Sequence, residues 1–316
     1  MSEPATPQAA AEAADPGMSG RVAALRADLL AWYEACGRDL PWRRTRDPYA
    51  ILVSELMLQQ TQVDRAARAW PAFLEAFPSV EALAAAPVGA VVTAWRGLGY
   101  NRRAVRLSEA ARRLVDDHGG QVPADVDALE RLPGVGAYTA RAVAAFAFER
   151  PAAPVDTNVA RVLARAVAGT PLSARRGQEL ADALVPADRA AAWSHALMDL
   201  GSRHCTARSP RCPSCPLAAR CVWYATGGQD PAVAGARRPR PQGRFEGSDR
   251  WYRGRLVDTL RGGAMPWTAV EDTLDGLDED GRRRIVDGLA ADGLVERDDW
   301  GLALAGGHDS GGGRDD

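Results

Sequence analysis

The feature that most constrains this chain is a proline- and glycine-rich turn, PGVG, between two apolar runs within residues 129–148. Because glycine has no side chain and reaches positive φ, the turn predicts two helices joined by a tight hairpin. Backbone N–H groups at the start of the second helix can then bind an anion, and a DNA phosphate is the natural candidate. The turn residues concerned are Gly134, Val135 and Gly136. A hairpin that only packs against its neighbours is the alternative interpretation.

A carboxylate follows the hairpin at Asp156, in PVDTNVARVLAR, directly before another helical run. An aspartate in this position is predicted to be the N-cap of the helix. By itself the cap is the simpler interpretation. A carboxylate at a helix start can nevertheless cap the helix and take part in catalysis, so Asp156 is a candidate for both.

A second carboxylate, Glu55 in SELMLQQTQ, lies within a predicted helix that begins at Asp47-Pro48 and runs to about Gln60. The residues one turn away from it are mostly apolar, namely Ile51, Leu52, Leu58 and Gln59. A glutamate half-buried among apolar side chains has a raised pKa, which a general acid needs near neutral pH. A solvated glutamate on a surface helix is the alternative.

Aromatic and arginine side chains stand next to each other in RDLPWR, which follows a predicted helix over residues 22–36. Proteins hold an extruded base with such planar groups, although a Pro-Trp loop packed on the core also explains the segment. In GLGY, two glycines let the backbone approach a ligand, with Tyr100 at the turn. The helix predicted to follow, over residues 101–118, begins with three arginines suited to phosphate, Arg102, Arg103 and Arg106.

Between these motifs the pattern predicts further helices. Thr61 is predicted to cap a helix that runs towards Phe77-Pro78, and residues 79–94 are predicted to form one helical unit. Because the first 225 residues hold hardly any alternating apolar and polar run, we predict an all-α module.

The basic charge of the chain is local. The net charge is −2, but residues 21–225 hold 26 arginines against 20 acidic residues, +6, whereas residues 226–316 hold 13 against 18, −5. This distribution is compatible with phosphate binding without being diagnostic of it. The chain contains no lysine, so all 39 basic residues are arginine and no side-chain amine exists to form a Schiff base.

Four of the five cysteines are crowded into a C-x6-C-x2-C-x5-C pattern. Such spacing is typical of a metal site rather than of a disulfide framework, and it fits a reducing cytoplasm. Thiolate softness alone leaves a single zinc ion and a [4Fe-4S] cluster both open. The predicted ligands are Cys205, Cys212, Cys215 and Cys221.

The composition along the chain predicts five parts. Disordered tails are expected over residues 1–18 and 306–316, a helical domain over 19–225 and a Gly-, Pro- and Arg-rich linker over 226–247. Residues 248–305 predict three helices and a closing β-hairpin, which is a small winged-helix-like domain. No run approaches 18 apolar residues, so we expect a soluble, cytoplasmic protein that does not bind membranes.

Several linked motifs together resemble the helix-hairpin-helix DNA glycosylases, and within them the adenine glycosylases. The resemblance covers about residues 22–223 and rests on LPWR, SELMLQQTQ, GLGY, LPGVGAYTA, VDTNV and the four cysteines in order. It implies a two-part helical fold with a [4Fe-4S] cluster loop. The implied activity is base excision repair in the nucleoid by a monomer that flips out adenine mispaired with 8-oxoguanine or guanine in double-stranded DNA.

The resemblance also implies roles for individual residues. Glu55 would protonate adenine at N7 as general acid, and Asp156 would stabilise an oxocarbenium-like sugar, with Tyr138 near that sugar. The wall of the adenine pocket would consist of Leu40, Trp42, Arg43 and Leu58. The residues that wedge into the base stack would be Gln60, Thr61 and Tyr100.

Three features set the chain apart or leave alternatives. Relatives with lyase activity carry lysine where this hairpin has Tyr138, so we predict a monofunctional glycosylase. The Nudix-like second domain of the family is not recognisable in residues 249–305, and Asn101 stands where an aromatic residue is frequent. A pyrimidine-mismatch glycosylase and a non-catalytic iron-sulfur DNA-binding protein are the competing interpretations.

Overall fold

A computed structural model describes residues 16–232 and 244–306. Residues 1–15, 233–243 and 307–316, which hold most of the predicted tails and linker, lie outside the described residues. The helices up to residue 162 are α1 (Pro16–Cys36), α2 (Pro48–Leu58), α3 (Val63–Ala76), α4 (Val80–Ala85), α5 (Val88–Ala94), α6 (Arg102–His118), α7 (Val126–Glu130), α8 (Ala137–Phe148) and α9 (Thr157–Val162).

The later elements include the only strands among the described residues. They are α10 (Ala174–Leu184), α11 (Ala190–Arg203), α12 (Val222–Thr226), α13 (Asp249–Leu260), β1 (Met265–Pro266), α14 (Trp267–Thr273), α15 (Glu279–Ala291), β2 (Val295–Arg297) and β3 (Gly301–Leu304). The predominance of helix confirms the predicted fold class.

The chain divides into two compact units. The first contains the described residues within Met1–Ile51, Ala124–Glu130 and Val135–Arg238, and the second contains those within Leu52–Pro123, Arg131–Gly134 and Pro239–Asp316.

The core of the first unit lies where α11 packs against α1, α8 and α9. Trp193 of α11 and Leu29 of α1 are fully buried there. Beyond α9 the helix widens into a π-helical turn, Leu163–Ala168, which ends at the left-handed Gly169. This turn carries the buried Arg165 next to the cysteine-rich segment.

In the second unit α4 and α5 both pack against α6. The sequence predicted one helical unit over residues 79–94, which is wrong, because Ala86 and Pro87 adopt extended ψ values and separate α4 from α5. The predicted cap at Thr61 is also wrong. Helix α3 begins at Val63 after Gln62, without a side-chain cap.

The C-terminal part of the second unit contains the three predicted helices, α13, α14 and α15, and the predicted hairpin of β2 and β3. The sheet order is β1-β3-β2 with antiparallel pairing, and Val295 pairs with Leu304. Strand β1 was not predicted, because two residues are too short to show an alternating pattern. This winged-helix-like domain docks on α5, where Gly89 N donates to Ala305 O at 2.6 Å.

No helix in the described part of the chain is long and apolar enough to span a membrane.

Candidate active site and nucleic-acid interface

The predicted hairpin is present, with α7 and α8 joined by the PGVG turn. Gly134 has φ +80°, and a Cβ there would lie 2.8 Å from Arg106 Cβ, so both backbone and packing require glycine. A Cβ at Gly136, which precedes α8, would meet nothing within 4 Å. Val135 between them is buried, whereas both glycines are exposed. The turn thus presents bare backbone to its surroundings.

Glu55 lies in the middle of α2 and is only 4% exposed. The residues on either side, Ser54 and Leu56, are fully buried. The carboxyl is therefore enclosed more completely than the half-buried position that the sequence pattern predicts. Leu58, one turn further on, is the last residue of α2 and is half-buried.

Asp156 is the N-cap of α9, which confirms the predicted cap. Its Oδ1 accepts a hydrogen bond from Val159 N at 2.7 Å, and Oδ2 accepts one from Asn158 Nδ2 at 2.9 Å. Asn158 Oδ1 in turn accepts from Arg161 Nη2 at 2.7 Å, and Arg161 Nε donates to Cys205 O at 2.6 Å. Hydrogen bonds thus connect the Asp156 carboxylate to the first of the four cysteines.

Tyr138 lies in the first turn of α8 and is half-buried. Its hydroxyl donates towards Met198 Sδ at 3.9 Å. Met198 lies on α11, so the tyrosine contacts that helix.

The LPWR segment forms a 3-10 turn, Pro41–Arg44, whose preceding residue Leu40 is half-buried and whose Trp42 is buried. Arg43 does not extend from this turn as a free cation. Its Nη1 and Nη2 donate to Asp199 Oδ2 and Oδ1 at 2.8 and 2.9 Å, and Arg38 Nε donates to Oδ1 at 2.6 Å. The Asp199 side chain is fully buried, and that of Arg43 is 7% exposed.

The sequence pattern gave Asp199 no role, because its two arginine partners lie 156 and 161 residues away. Burial alone would raise the pKa of Asp199, but the hydrogen bonds and charge of Arg43, followed by those of Arg38, outweigh it and hold the pKa below its usual value. The result is a buried ion pair that fixes the LPWR turn on α11.

Gln60, Thr61 and Tyr100 come together along one cleft of about 940 Å³ in the second unit. Gln60 and Tyr100 have positive φ, 56° and 46°, which is rare for residues other than glycine. Tyr100 is 41% exposed, and Gln60 is also exposed. Local backbone strain of this kind is concentrated at functional sites.

Arg103 holds this region together. Its Nη1 donates to Leu56 O and Met57 O at 2.8 Å, and its Nη2 donates to Gly99 O and Thr61 Oγ1 at 2.9 Å. The Thr61 hydroxyl donates to Leu98 O at 3.3 Å, which explains why it does not cap α3. Burial lowers the pKa of Arg103 to about 10, so the side chain remains charged at neutral pH.

All four predicted cysteine ligands line one small pocket in the first unit, together with Arg165. Arg165 Nη1 lies 3.5 Å from Cys205 Sγ and donates to Thr206 O at 2.7 Å. Among the described residues, no three His, Cys, Asp or Glu side chains are close enough to hold a single metal ion. Four thiols that line one pocket are a soft donor set, which fits thiolate-held metal chemistry, either a zinc ion or an iron-sulfur cluster.

Comparison with known proteins identifies the family. Residues 53–185 match the helix-hairpin-helix superfamily of base excision DNA repair proteins, HhH-GPD. An adenine DNA glycosylase of Mycolicibacterium smegmatis is 47% identical over 285 residues, which cover 88% of this chain and 95% of that protein. The chain belongs to the adenine DNA glycosylases. The human adenine DNA glycosylase is 42% identical, over 63% of this chain and 39% of the human protein.

Solved structures of the wider superfamily share the fold. A thermostable thymine-DNA glycosylase has a TM-score of 0.62 at 33% identity, covering 66% of this chain and 98% of that one. Endonuclease III, trapped covalently on DNA, has a TM-score of 0.56 at 26% identity and covers 66% of this chain and 97% of that one. Membership of the adenine glycosylases confirms the predicted enzyme class, a DNA glycosylase of base excision repair that acts on DNA.

Proposed function

We propose that this adenine glycosylase family member is a monofunctional, monomeric enzyme that removes adenine mispaired with 8-oxoguanine or guanine from double-stranded DNA. The observation that carries the proposal is the enclosure of Glu55 in α2, at the position where the family motif implies a general acid. A carboxyl that is shielded from bulk water suits the role of a general acid towards a base brought into contact with it.

The proposed reaction divides the work between two carboxyl groups. Glu55 gives its proton to adenine N7, so that the bond between the sugar C1′ and N9 breaks with its electron pair leaving on a neutral base. Asp156 faces the positive charge that develops on the sugar, and water adds to C1′ and releases a proton. The Asp156 carboxylate is fixed for this role by hydrogen bonds from Val159 N and Asn158 Nδ2. Tyr138 is assigned to the surroundings of the sugar.

The flipped adenine is proposed to contact Leu40, Trp42 and Leu58. Arg43 is assigned a different part in the same pocket, because its guanidinium is held by Asp199. We treat it as a positioning residue that fixes the turn bearing Trp42. Gln60, Thr61 and Tyr100 are proposed to enter the base stack, and Gly134 to Gly136 to contact a phosphate.

A [4Fe-4S] cluster is proposed as the resident cofactor, held by Cys205, Cys212, Cys215 and Cys221. When bound it would supply a rigid cross-link of the cysteine loop, and base release needs no redox step. The hydrogen bonds through Asn158 and Arg161 connect this loop to the helix capped by Asp156. A cytoplasmic, nucleoid-associated location follows from the proposed substrate.

Single-turnover release of bases from duplexes with A:8-oxoguanine, A:G, T:G and A:T pairs tests the function. We expect adenine release from the first two duplexes alone. Release of thymine from T:G would favour the pyrimidine-mismatch alternative, and DNA binding without release from any duplex would favour the non-catalytic alternative. The chain has no lysine to form a Schiff base with the sugar, so we expect no lyase activity. Trapping of a covalent DNA adduct by borohydride would contradict this expectation.

A further inference from the structure

The cleft of about 940 Å³ in the second unit is lined from two sides. One side consists of the end of α2, the GLGY segment and the start of α6, and the other consists of Phe245 and one face of α13 in the winged-helix-like domain. We call it the arginine cleft, because seven arginines line it against two acidic residues, Asp258 and Asp292. The arginines are Arg65, Arg102, Arg103, Arg106, Arg250, Arg253 and Arg261.

The winged-helix-like domain contributes arginines to the cleft despite its acidic composition. Residues 226–316 carry a net charge of −5, from 13 arginines and 18 acidic residues. Even so, Arg250, Arg253 and Arg261 all line the cleft. The domain also contributes both aspartates of the cleft, and these pair with two of its arginines, Arg253 with Asp292 and Arg261 with Asp258. Its three arginines still outnumber its two aspartates there, so its contribution to the lining is net positive.

Direct contacts hold this domain beside the GLGY segment. The Arg261 side chain is 2% exposed, and its Nη2 donates to Val92 O at 3.1 Å and to Asn101 Oδ1 at 3.2 Å. Arg102 Nη1 forms an ion pair with Asp292 Oδ1 at 3.2 Å. Asn101, which departs from the aromatic residue frequent in relatives, thus accepts a hydrogen bond from the C-terminal domain.

Arg250 is the arginine of the C-terminal domain that lies next to the proposed wedge residue Tyr100. Its Nη1 is 3.3 Å from the hydroxyl of Tyr100, and its guanidinium lies 4.8 Å from the centre of the Phe245 ring. Both rings are exposed, Tyr100 by 41% and Phe245 by 53%. A guanidinium placed by aromatic groups on the wall of a basic cleft is suited to bind a phosphate of DNA.

We propose that the winged-helix-like domain forms one wall of the DNA-binding cleft, and that Arg250 binds a backbone phosphate beside the wedge residue Tyr100. This inference rests on the proposed function, because it takes duplex DNA as the ligand. It assigns the domain a role in affinity for DNA in general, since phosphate contacts carry no sequence information.

The test compares Arg250→Ala with Arg255→Ala in the full-length protein. Arg255 lies on the same helix and is exposed, but it packs on Trp251 and does not line the cleft. The two variants therefore lose the same charge from the same helix. Fluorescence anisotropy measures the Kd for two duplexes at several salt concentrations, one with a tetrahydrofuran site opposite guanine and one fully paired. Neither measurement depends on base release.

We expect Arg250→Ala to weaken the binding of both duplexes about tenfold, because a hydrogen bond to a charged group is lost. The slope of log K against log salt should become less steep by about 0.9, the value for one phosphate contact. Arg255→Ala should change the affinity and the slope much less.

Equal effects of the two variants would overturn the proposal. A loss confined to the tetrahydrofuran duplex with an unchanged salt slope would also overturn it, because that result indicates a contact other than phosphate. Failure of the wild type to release adenine would contradict the proposed function instead, and would leave the comparison of the two arginines interpretable.

Discussion

Each of the two units holds a candidate catalytic carboxylate and an arginine that is fixed by its hydrogen-bond acceptors, but by different means. In the first unit Asp156 is held by hydrogen bonds at a helix start, and Arg43 is neutralised by Asp199. In the second unit Glu55 is enclosed within a helix, and Arg103 is held by backbone carbonyl oxygens. The ion pair of the first unit exists only while Asp199 is deprotonated. In the second unit the positive charge of Arg103, held by carbonyl oxygens and not by a carboxylate in these contacts, lies close to the proposed DNA cleft.

The largest expected effect on the rate of adenine release comes from substitution of the enclosed Glu55. Glu55→Gln should lower the single-turnover rate of adenine release by about 10²- to 10⁴-fold, because glutamine has no proton to give. Tight binding of the A:8-oxoguanine duplex should be retained. Glu75→Gln, an exposed glutamate in the same unit, is the matched control and should keep the wild-type rate. Equal rates for Glu55→Gln and the wild type would remove Glu55 from the proposed mechanism.

The capping role of Asp156 should be separable from its proposed catalytic role. Asparagine is as good an N-cap as aspartate, so Asp156→Asn should keep the thermal midpoint within a few degrees. Its rate of adenine release should nevertheless fall by about 10²- to 10³-fold, because the charge that stabilises the sugar is lost. Measured together, the melting curve and the single-turnover rate distinguish the two roles. A rate that falls only in proportion to a loss of folded protein would leave the cap as the sole role.

The ion pair of the first unit should make it sensitive to acid. Asp199→Asn should lower the free energy of unfolding at pH 7 by about 3 to 5 kcal/mol, because the buried Arg43 and the partly exposed Arg38 both lose their charge partner. The folded-state pKa of Asp199 is depressed, so this stability is present above the unfolded-state pKa of about 3.9 and is lost as the pH falls through the lower folded value.

Urea unfolding of the wild type and of Asp199→Asn from pH 7 to pH 3 measures the difference. The difference in the free energy of unfolding between the two proteins should become smaller as the pH approaches 3. Asp188→Asn, which replaces an exposed aspartate of the same unit, is the control and should unfold with the same free energy as the wild type. A difference that stayed constant down to pH 3 would mean that Asp199 does not contribute through its charge.

The arginine of the second unit should contribute stability that does not depend on pH in this range. Arg103→Met should lower the free energy of unfolding by about 2 to 4 kcal/mol, because the carbonyl groups of Leu56 and Met57 lose their donor. The same urea series, from pH 7 to pH 3, should give a nearly constant difference. Arg96→Met, at an exposed position before the GLGY segment, serves as control. If the difference in the free energy of unfolding between the wild type and Arg103→Met declined strongly in acid, the two units would not differ in the pH dependence of their stability.

The sequence predicted those features that depend on neighbours in the chain. The PGVG hairpin, the cap at Asp156, the helix that carries Glu55 and the C-terminal helices and hairpin all follow from local patterns. Features that depend on distant partners were missed or wrong. Thr61 has the chemistry of a cap, but Arg103 and Leu98 engage its hydroxyl. Asp199 looks like an ordinary helix residue until the fold brings Arg38 and Arg43 to it.

The hydrogen bond between Arg261 and Asn101 has a consequence for the evolution of these two positions. This hydrogen bond needs both residues, since a phenylalanine or tryptophan side chain at position 101 offers no acceptor to the guanidinium, which would keep only its bonds to Val92 O and Asp258. The two positions should therefore vary together among relatives that carry this small C-terminal domain. In relatives that carry a different C-terminal domain, asparagine at position 101 should no longer be selected.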